Sequence, residues 1–493
     1  MDIPISCAQI LTCLHFLSMG GLALYGLHRL WLLSLWLMVR RRPVLTTPSF
    51  SLTENPPKVT VQLPIYNERF VAARLLDAVA EINWPRSRME IQVLDDSTDD
   101  TRKIVDERAA FWSDKGISMK VLRRGHRNGF KAGALALGMT EAGGELIAIF
   151  DADFLPPPDF LVRTAPYFSN PKVGMVQARW GFINQKYSWL TNIQSILLGP
   201  HFSIEHLVRF RRGLFFNFNG TAGVWRREAI ESSGGWQSDT VTEDLDLSYR
   251  AQLAGWRFVY LDGIIVPSEL PTTLAAFRSQ QQRWAKGSIQ TAKKILPRLL
   301  MAPLPLRLKI EAAAHLLANL GWLFGAIITL TLYPAIIWRE EVGPYQLFRL
   351  DLPLFLGTSG AILLYLYLHA TMRTARIPIL CFSLLPVFSI GLAPSIALAV
   401  LEGTLYKGGV FKRTPKLGVS DHCSLQIPAF QYCQGTPLPY IIMNTVLLAY
   451  SLMPLILSWQ RGTWIAMPFL MLFPLGFFII IFSDLRELTS KRR

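Results

Sequence analysis

Hydrophobic positions fall into two regimes along the chain. From Cys7 to the basic cluster Arg40-Arg41-Arg42, and again near 312–338, 352–371, 379–401, 438–459 and 464–482, apolar residues run almost without a break. Runs of this length predict helices that cross a membrane. Between them, residues 58–295 alternate short strand-like stretches with longer helical ones. "KVTVQLPIYNE" predicts a strand running into a turn, with a helix over 69–81. "MEIQVLDDSTDD" predicts a second strand with a helix from 101, "ISMKVLRR" a third strand and "ELIAIFDAD" a fourth. Strands alternating with helices predict an α/β domain, a doubly wound, mostly parallel sheet, inserted between transmembrane α-helices.

Basic residues orient the membrane segments. The cluster Arg40-Arg41-Arg42 places the residues after it on the cytosolic side, and the first run is too long for a cleaved leader, so it reads as an anchor. His28 and Arg29 interrupt it, so the span is expected in its first part, with the rest along the interface. Six crossings would export both the tail "KRR" and the basic loop "YKGGVFKRTPKLG". Residues 379–401 follow a basic entry and carry Pro386 and Pro394. Reading them as a broken interfacial helix leaves five crossings, with loop and tail cytosolic. The expected division is an anchor over 1–43, a cytosolic domain over 44–300, and two spans plus the interfacial helix over 301–405. A cytosolic loop over 406–436 and two spans with a basic tail over 437–493 complete it.

Composition agrees. Of 493 residues, 51% are hydrophobic and only 17% charged, which suits an integral membrane protein. The net charge of +15 comes largely from residues flanking the apolar runs, and no Arg-rich helix or interleaved aromatic motif points to nucleic acid. Cys7, Cys13, Cys381, Cys423 and Cys433 lack metal-ligand spacing. Cys423 and Cys433 are near enough to pair, although free thiols suit a cytosolic loop better.

The chemistry sits at predicted strand ends, where such sheets bind ligands. Asp95-Asp96 and Asp151-Ala152-Asp153 both fall there. Residues two apart in extended chain face the same side, so Asp151 and Asp153 can address one ligand together. Two carboxylates suit Mg²⁺ or Mn²⁺ shared with a substrate diphosphate, whereas a solvated turn is the plainer explanation. No Walker-type glycine loop is present. In "TVTEDLDLSYR", Glu243, Asp244 and Asp246 crowd a helix start with Thr242 as the cap, an arrangement that dipole compensation also explains. "QQQRW" closes a polar run on an amphipathic helix, as a surface helix near the membrane also would. His126, His201 and His206 are not metal-spaced and read as structural or surface residues. "SILLGPHFSIEHLVRFRRGLFF" reads as a helix lying on the membrane. Trp180, Trp189 and Trp225 fit a sugar channel or core packing equally.

Seven motifs, "QLPIYNE", "VLDDSTDDT", "NGFKAGAL", "IFDADF", "NGTAGVWR", "TEDLDLSYRAQLAGW" and "QQQRW", occur in the order found in family 2 inverting glycosyltransferases. They most resemble the cellulose-synthase-like A and C branches, which make mannan and glucan backbones. "FKRTPK" resembles the gating loop of cellulose synthases, with Arg413 in place of its valine. The resemblance implies a GT-A domain and, by position, a set of roles. Asp95 and Asp96 with Tyr66 and Glu68 would hold the base and ribose, and Lys131 would help hold the donor. Asp151 and Asp153 would bind metal and diphosphate. Asp244, beside Glu243, would be the general base. Gln280 and Arg283 would meet the diphosphate and Trp284 the acceptor sugar, with Gly220 and Thr221 in the acceptor loop. Phe411, Thr414 and Lys416 would close over the donor.

The expected activity is polymerisation of a nucleotide sugar by a membrane-embedded β-glycosyltransferase working on the cytosolic face of a plasma, inner or Golgi-like membrane. UDP-glucose giving a β-glucan is the first choice. GDP-mannose giving a β-mannan or glucomannan is second, and single transfer to a lipid acceptor is a further alternative. A non-catalytic polymer-binding subunit would not need every donor-site acid.

Overall fold

The computed structural model describes residues 5–41, 55–371, 379–410, 413–421 and 436–492. Seven strands form one sheet: β1 (Val59–Ile65), β2 (Met89–Asp95), β3 (Met119–Leu122), β4 (Leu146–Ile149), β5 (Val173–Phe182), β6 (Gly223–Arg226) and β7 (Arg257–Ser268). Their order is β3-β2-β1-β4-β6-β5-β7. All pairings are parallel except those of β6, which runs antiparallel to both β4 and β5. The four strands expected from the sequence are β1 to β4. The reversal of β6 has one consequence for function: its beginning reaches the sheet edge at which every other strand ends.

Alternation builds the sheet's two faces. Val59, Val61, Leu63 and Ile65 of β1 are buried in one core, while Gln62 between them donates to Gln92 Oε1 at 3.1 Å on the other face.

By length and composition five helical stretches can cross a membrane: Cys7–Val39, Arg349–Thr371, Cys381–Leu405, Leu438–Gln460 and Trp464–Thr489. A sixth candidate, Leu306–Leu316 with Leu320–Leu330, is bent by 57° at its break. The segment expected to lie broken along the interface is instead one 27-residue helix, Ile379–Leu405, running through Pro386 and Pro394. A proline removes a single backbone donor, and neighbouring helices absorb that loss. It packs against Leu320–Leu330 of the bent pair, against Leu472–Arg492, and along the amphipathic helix Leu274–Met301.

The first helix is likewise unbroken, Ile5–Val39, and His28 and Arg29 pair with acids of other elements. His28 Nε2 lies 2.6 Å from Glu311 Oε2, and Arg29 pairs with Glu205. Arg209 then bridges Glu205 at 3.1 Å and Glu311 at 2.9 Å. The segment expected to lie on the membrane, residues 195–216, therefore sits between the anchor and the domain, with Arg209 fully buried. Burial opposes the Glu205 carboxylate, but Arg29 and Arg209 outweigh it and hold its pKa well below the usual range.

Removing one member of a buried charge cluster strands the rest. Glu205→Gln is expected to cost about 3–5 kcal/mol, read as a clear drop in Tm of the purified protein in detergent; an unchanged Tm overturns the assignment.

Candidate active site

One cleft of about 170 Å³ opens at the sheet edge just described. Tyr66 and Glu68 reach it from the end of β1, Asp96 from β2, Asp151 and Asp153 from β4, Trp180 from β5, Gly220 from before β6, and Glu269 from the end of β7. Glu243 and Asp244 enter on the first turn of the helix Glu243–Leu253, and Gln280, Arg283 and Trp284 from Leu274–Met301. Arg413, Thr414 and Lys416 close one side. Phe411 lies outside the described residues, as do Cys423 and Cys433.

Two expected residues stand behind the wall. Asp95 accepts from Arg123 Nε at 2.8 Å and from Ser97 N at 3.0 Å, because consecutive residues leave a strand on opposite sides. Thr221 Oγ1 accepts Asp151 N at 2.8 Å and so braces the aspartate. Asp96 is in the wall, held by Arg124 Nε at 3.0 Å, and the Arg127 guanidinium lies 3.3 Å over the Tyr66 ring. Thr242 precedes its helix without a side-chain capping bond; its hydroxyl instead lies 3.2 Å from Thr291 Oγ1. Trp225 is core, Trp189 packs edge-on against Phe388, and His126 is exposed. His201 and His206 brace the loop before β6, each 3.0 Å from an atom of Asn219.

Opposite charges interleave across the cleft. Lys131 donates to Asp151 and, at 2.8 Å, to Gly220 O. Lys416 lies 2.9 Å from Asp153, and Arg413 lies 3.4 Å from Glu68. Among the described residues no group of three or more His, Cys, Asp or Glu gathers to hold a metal ion.

Sequence reasoning missed Glu269, which receives Leu417 N at 2.7 Å and Arg74 at 2.8 Å and so fastens the loop over the cleft. It follows β7 as Asp153 follows β4, so the strand-end rule finds it once β7 is recognised.

Burial raises the Asp244 pKa to about 7, with Glu243 adding to the shift and Lys131 and the Leu245 N–H opposing it. Burial likewise raises Glu68 to about 8 against Arg413. Burial works against the Lys131 ammonium, yet Asp151 and Glu243 more than offset it, so its pKa is raised. A carboxylate poised near neutrality beside fixed cations can take a proton from a hydroxyl while the cations hold an anionic leaving group.

Similarity to known proteins agrees with this geometry. Residues 56–287 match the model of the glycosyltransferase-like family 2. Residues 56–287 are a family 2 glycosyltransferase domain. Over 247 residues the chain is 47% identical to probable glucomannan 4-beta-mannosyltransferase 11 of Arabidopsis thaliana, covering 49% of this chain and 56% of the relative. Over 251 residues it is 46% identical to probable glucomannan 4-beta-mannosyltransferase 7 of Oryza sativa subsp. japonica, covering 50% and 43%. The chain thus spans about half the length of the curated relatives it matches. The mannosyltransferase PcManGT of Pyrobaculum calidifontis, solved with GDP-Man and Mn²⁺, superposes with a TM-score of 0.55 at 21% identity. That match covers 79% of this chain and 99% of the other, and it carries the fold, GT-A.

Gly220 adopts φ +80°, and a Cβ there would stand 2.9 Å from Asp244 Oδ2 and 3.3 Å from Lys131 Nζ. Gly220→Ala is expected to cost about 1–2 kcal/mol in backbone strain and to push Asp244 aside. Unfolding in detergent checks the first effect and a structure of the variant the second; no change in either overturns it.

Proposed function

We propose that the protein is a membrane-embedded inverting β-glycosyltransferase that polymerises mannose from GDP-mannose into a β-mannan or glucomannan. One observation carries the reaction class: Asp244 shares a cleft with Asp151, Asp153, Lys131 and Arg283. The donor rests on the named relatives, which favour mannose over the glucose first expected. Transfer on the cytosolic face fits the basic residues at the end of the first helix.

In this reading Asp244 takes the proton of an acceptor hydroxyl as its oxygen attacks the anomeric carbon. No second carboxylic acid is required, because the departing nucleoside diphosphate needs neutralisation rather than a proton. Lys131 and Arg283 supply positive charge beside it, and Asp96 with Tyr66 faces the nucleoside. Asp151 and Asp153, paired here with Lys131 and Lys416, would hold a divalent ion that arrives with the diphosphate. Bound there, Mg²⁺ or Mn²⁺ would neutralise the diphosphate. Trp284 offers a flat face to the acceptor sugar. The membrane helices that pack along Leu274–Met301 give a growing chain a way out, which favours a polymer over a lipid acceptor.

The protein purified into lipid vesicles, given Mn²⁺ and labelled GDP-mannose or UDP-glucose, is expected to make a long product from GDP-mannose that a β-mannanase digests. Asp244→Asn should abolish it while nucleotide binding survives. Product from UDP-glucose alone, or a small organic-soluble product, overturns the donor or the polymer. The base must be deprotonated, so kcat/KM should fall below an apparent pKa near 7. Glu243→Gln removes a neighbour that raises Asp244 and should move that limb to lower pH; a shift upward or none argues against Asp244 as the titrating base.

A further inference from the structure

The cleft has two unlike regions. Around Asp151, Lys131 and Arg283 it is charged, whereas Phe182, Leu198, Leu270 and Pro271 make another part of its wall apolar. Leu198 belongs to the helix Trp189–Pro200, whose first residue packs edge-on against Phe388 of the membrane helix Ile379–Leu405 at 5.7 Å. Gln194 of the same helix donates to Pro271 O at 2.8 Å. The apolar wall is thus built on elements that touch the membrane bundle.

Trp180 is part of the cleft wall. Its ring is stacked on Phe202 at 4.9 Å and meets Phe154 edge-on at 5.0 Å, so the indole is locked in place. Its Nε1–H is nevertheless buried without a hydrogen-bond partner among the described residues. A buried indole N–H normally finds one, and leaving it unpaired is costly. Gln280 Oε1 and Thr414 Oγ1, also in the cleft wall, are buried without partners too. A cleft that combines an apolar wall with unpaired buried donors and acceptors matches a sugar, whose ring carries C–H faces and a girdle of hydroxyls.

We propose that Trp180 is an acceptor-subsite residue. Its indole N–H donates to a hydroxyl of the sugar behind the one that Asp244 deprotonates, while the apolar wall covers that sugar's C–H face. The proposal rests on the glycosyltransferase reading above but not on its choice of donor. Trp284 holds the reacting end of the chain, and Trp180 holds the next unit on the way to the membrane helices. Chains of two or more sugars therefore gain a contact that a single sugar cannot make.

Trp180→Phe tests this, because it keeps a ring against Phe202 and Phe154 and removes the N–H. Calorimetry on the full chain in detergent would measure binding of mannose and of β-1,4-linked manno- and cello-oligosaccharides of two to five units, without turnover. The expected result is about a 5–10-fold loss of affinity for oligosaccharides of at least one series, with mannose and GDP-mannose binding unmoved. Equal weakening of one-sugar and longer ligands, no change in either, or failure of the unsubstituted protein to bind any oligosaccharide overturns the proposal. A length-dependent loss seen with cello-oligosaccharides alone would sustain Trp180 and sink the mannose assignment.

Discussion

Arg278 and Asp484 are buried together, 2% and 0% exposed, and neither can move without stranding the other's charge. Asp484 accepts two bonds from Arg278 Nη2, at 2.9 and 2.7 Å, and one from the Thr436 hydroxyl at 2.6 Å. One turn further along the same C-terminal helix, Glu487 accepts the N–H groups of Leu274 and Ala275, which begin the helix Leu274–Met301. These donors have no partner inside their own helix, so the remote carboxylate supplies what a local cap would. Gln282 adds bonds to Ser395 O and the Tyr440 hydroxyl on two other membrane helices. The helix is fixed in position and rotation by the membrane bundle, and that rotation turns Gln280, Arg283 and Trp284 toward the cleft.

The same helix places Asp244. At Gly287, one turn beyond Trp284, a Cβ would meet Thr242 Cγ2 at 2.4 Å. Glycine is what lets the start of Glu243–Leu253 come this close, and with it Glu243 and Asp244. From the other side Gly220 admits Asp244 to the loop before β6. Two missing side chains thus bring three elements, distant in sequence, to one carboxylate.

Much of this was legible in the chain. Strand-end acids, residues two apart on an extended segment, and the ordered motifs located Asp96, Asp151, Asp153, Lys131, Asp244 and the Gln280–Trp284 helix in one cleft. What could not be read was which of two neighbours faces the cleft: Asp95 and Asp96 are equivalent in the sequence, and only the end of β2 decides between them. Tertiary overrides were hidden for a similar reason. His28, Arg29 and Arg209 look like interfacial charges until Glu205 and Glu311, far away in sequence, are seen to neutralise them. The prolines of Ile379–Leu405 look like a break until neighbouring helices are packed around them.

Charge balance explains why the loop carrying Arg413 and Lys416 belongs to the site. Asp153, Glu68 and Glu269 lie on one side of the cleft, and burial raises the pKa of both glutamates. Lys416 beside Asp153 and Arg413 beside Glu68 supply the countercharge from a single segment that Glu269 fastens down. Asp153 would hold a divalent ion only by giving up Lys416, so binding there would exchange these pairs rather than add to them. A valine at position 413 would leave Glu68 without that countercharge. Arg413 thus links the position of this segment to the charge of Glu68, and Lys416 links it to that of Asp153.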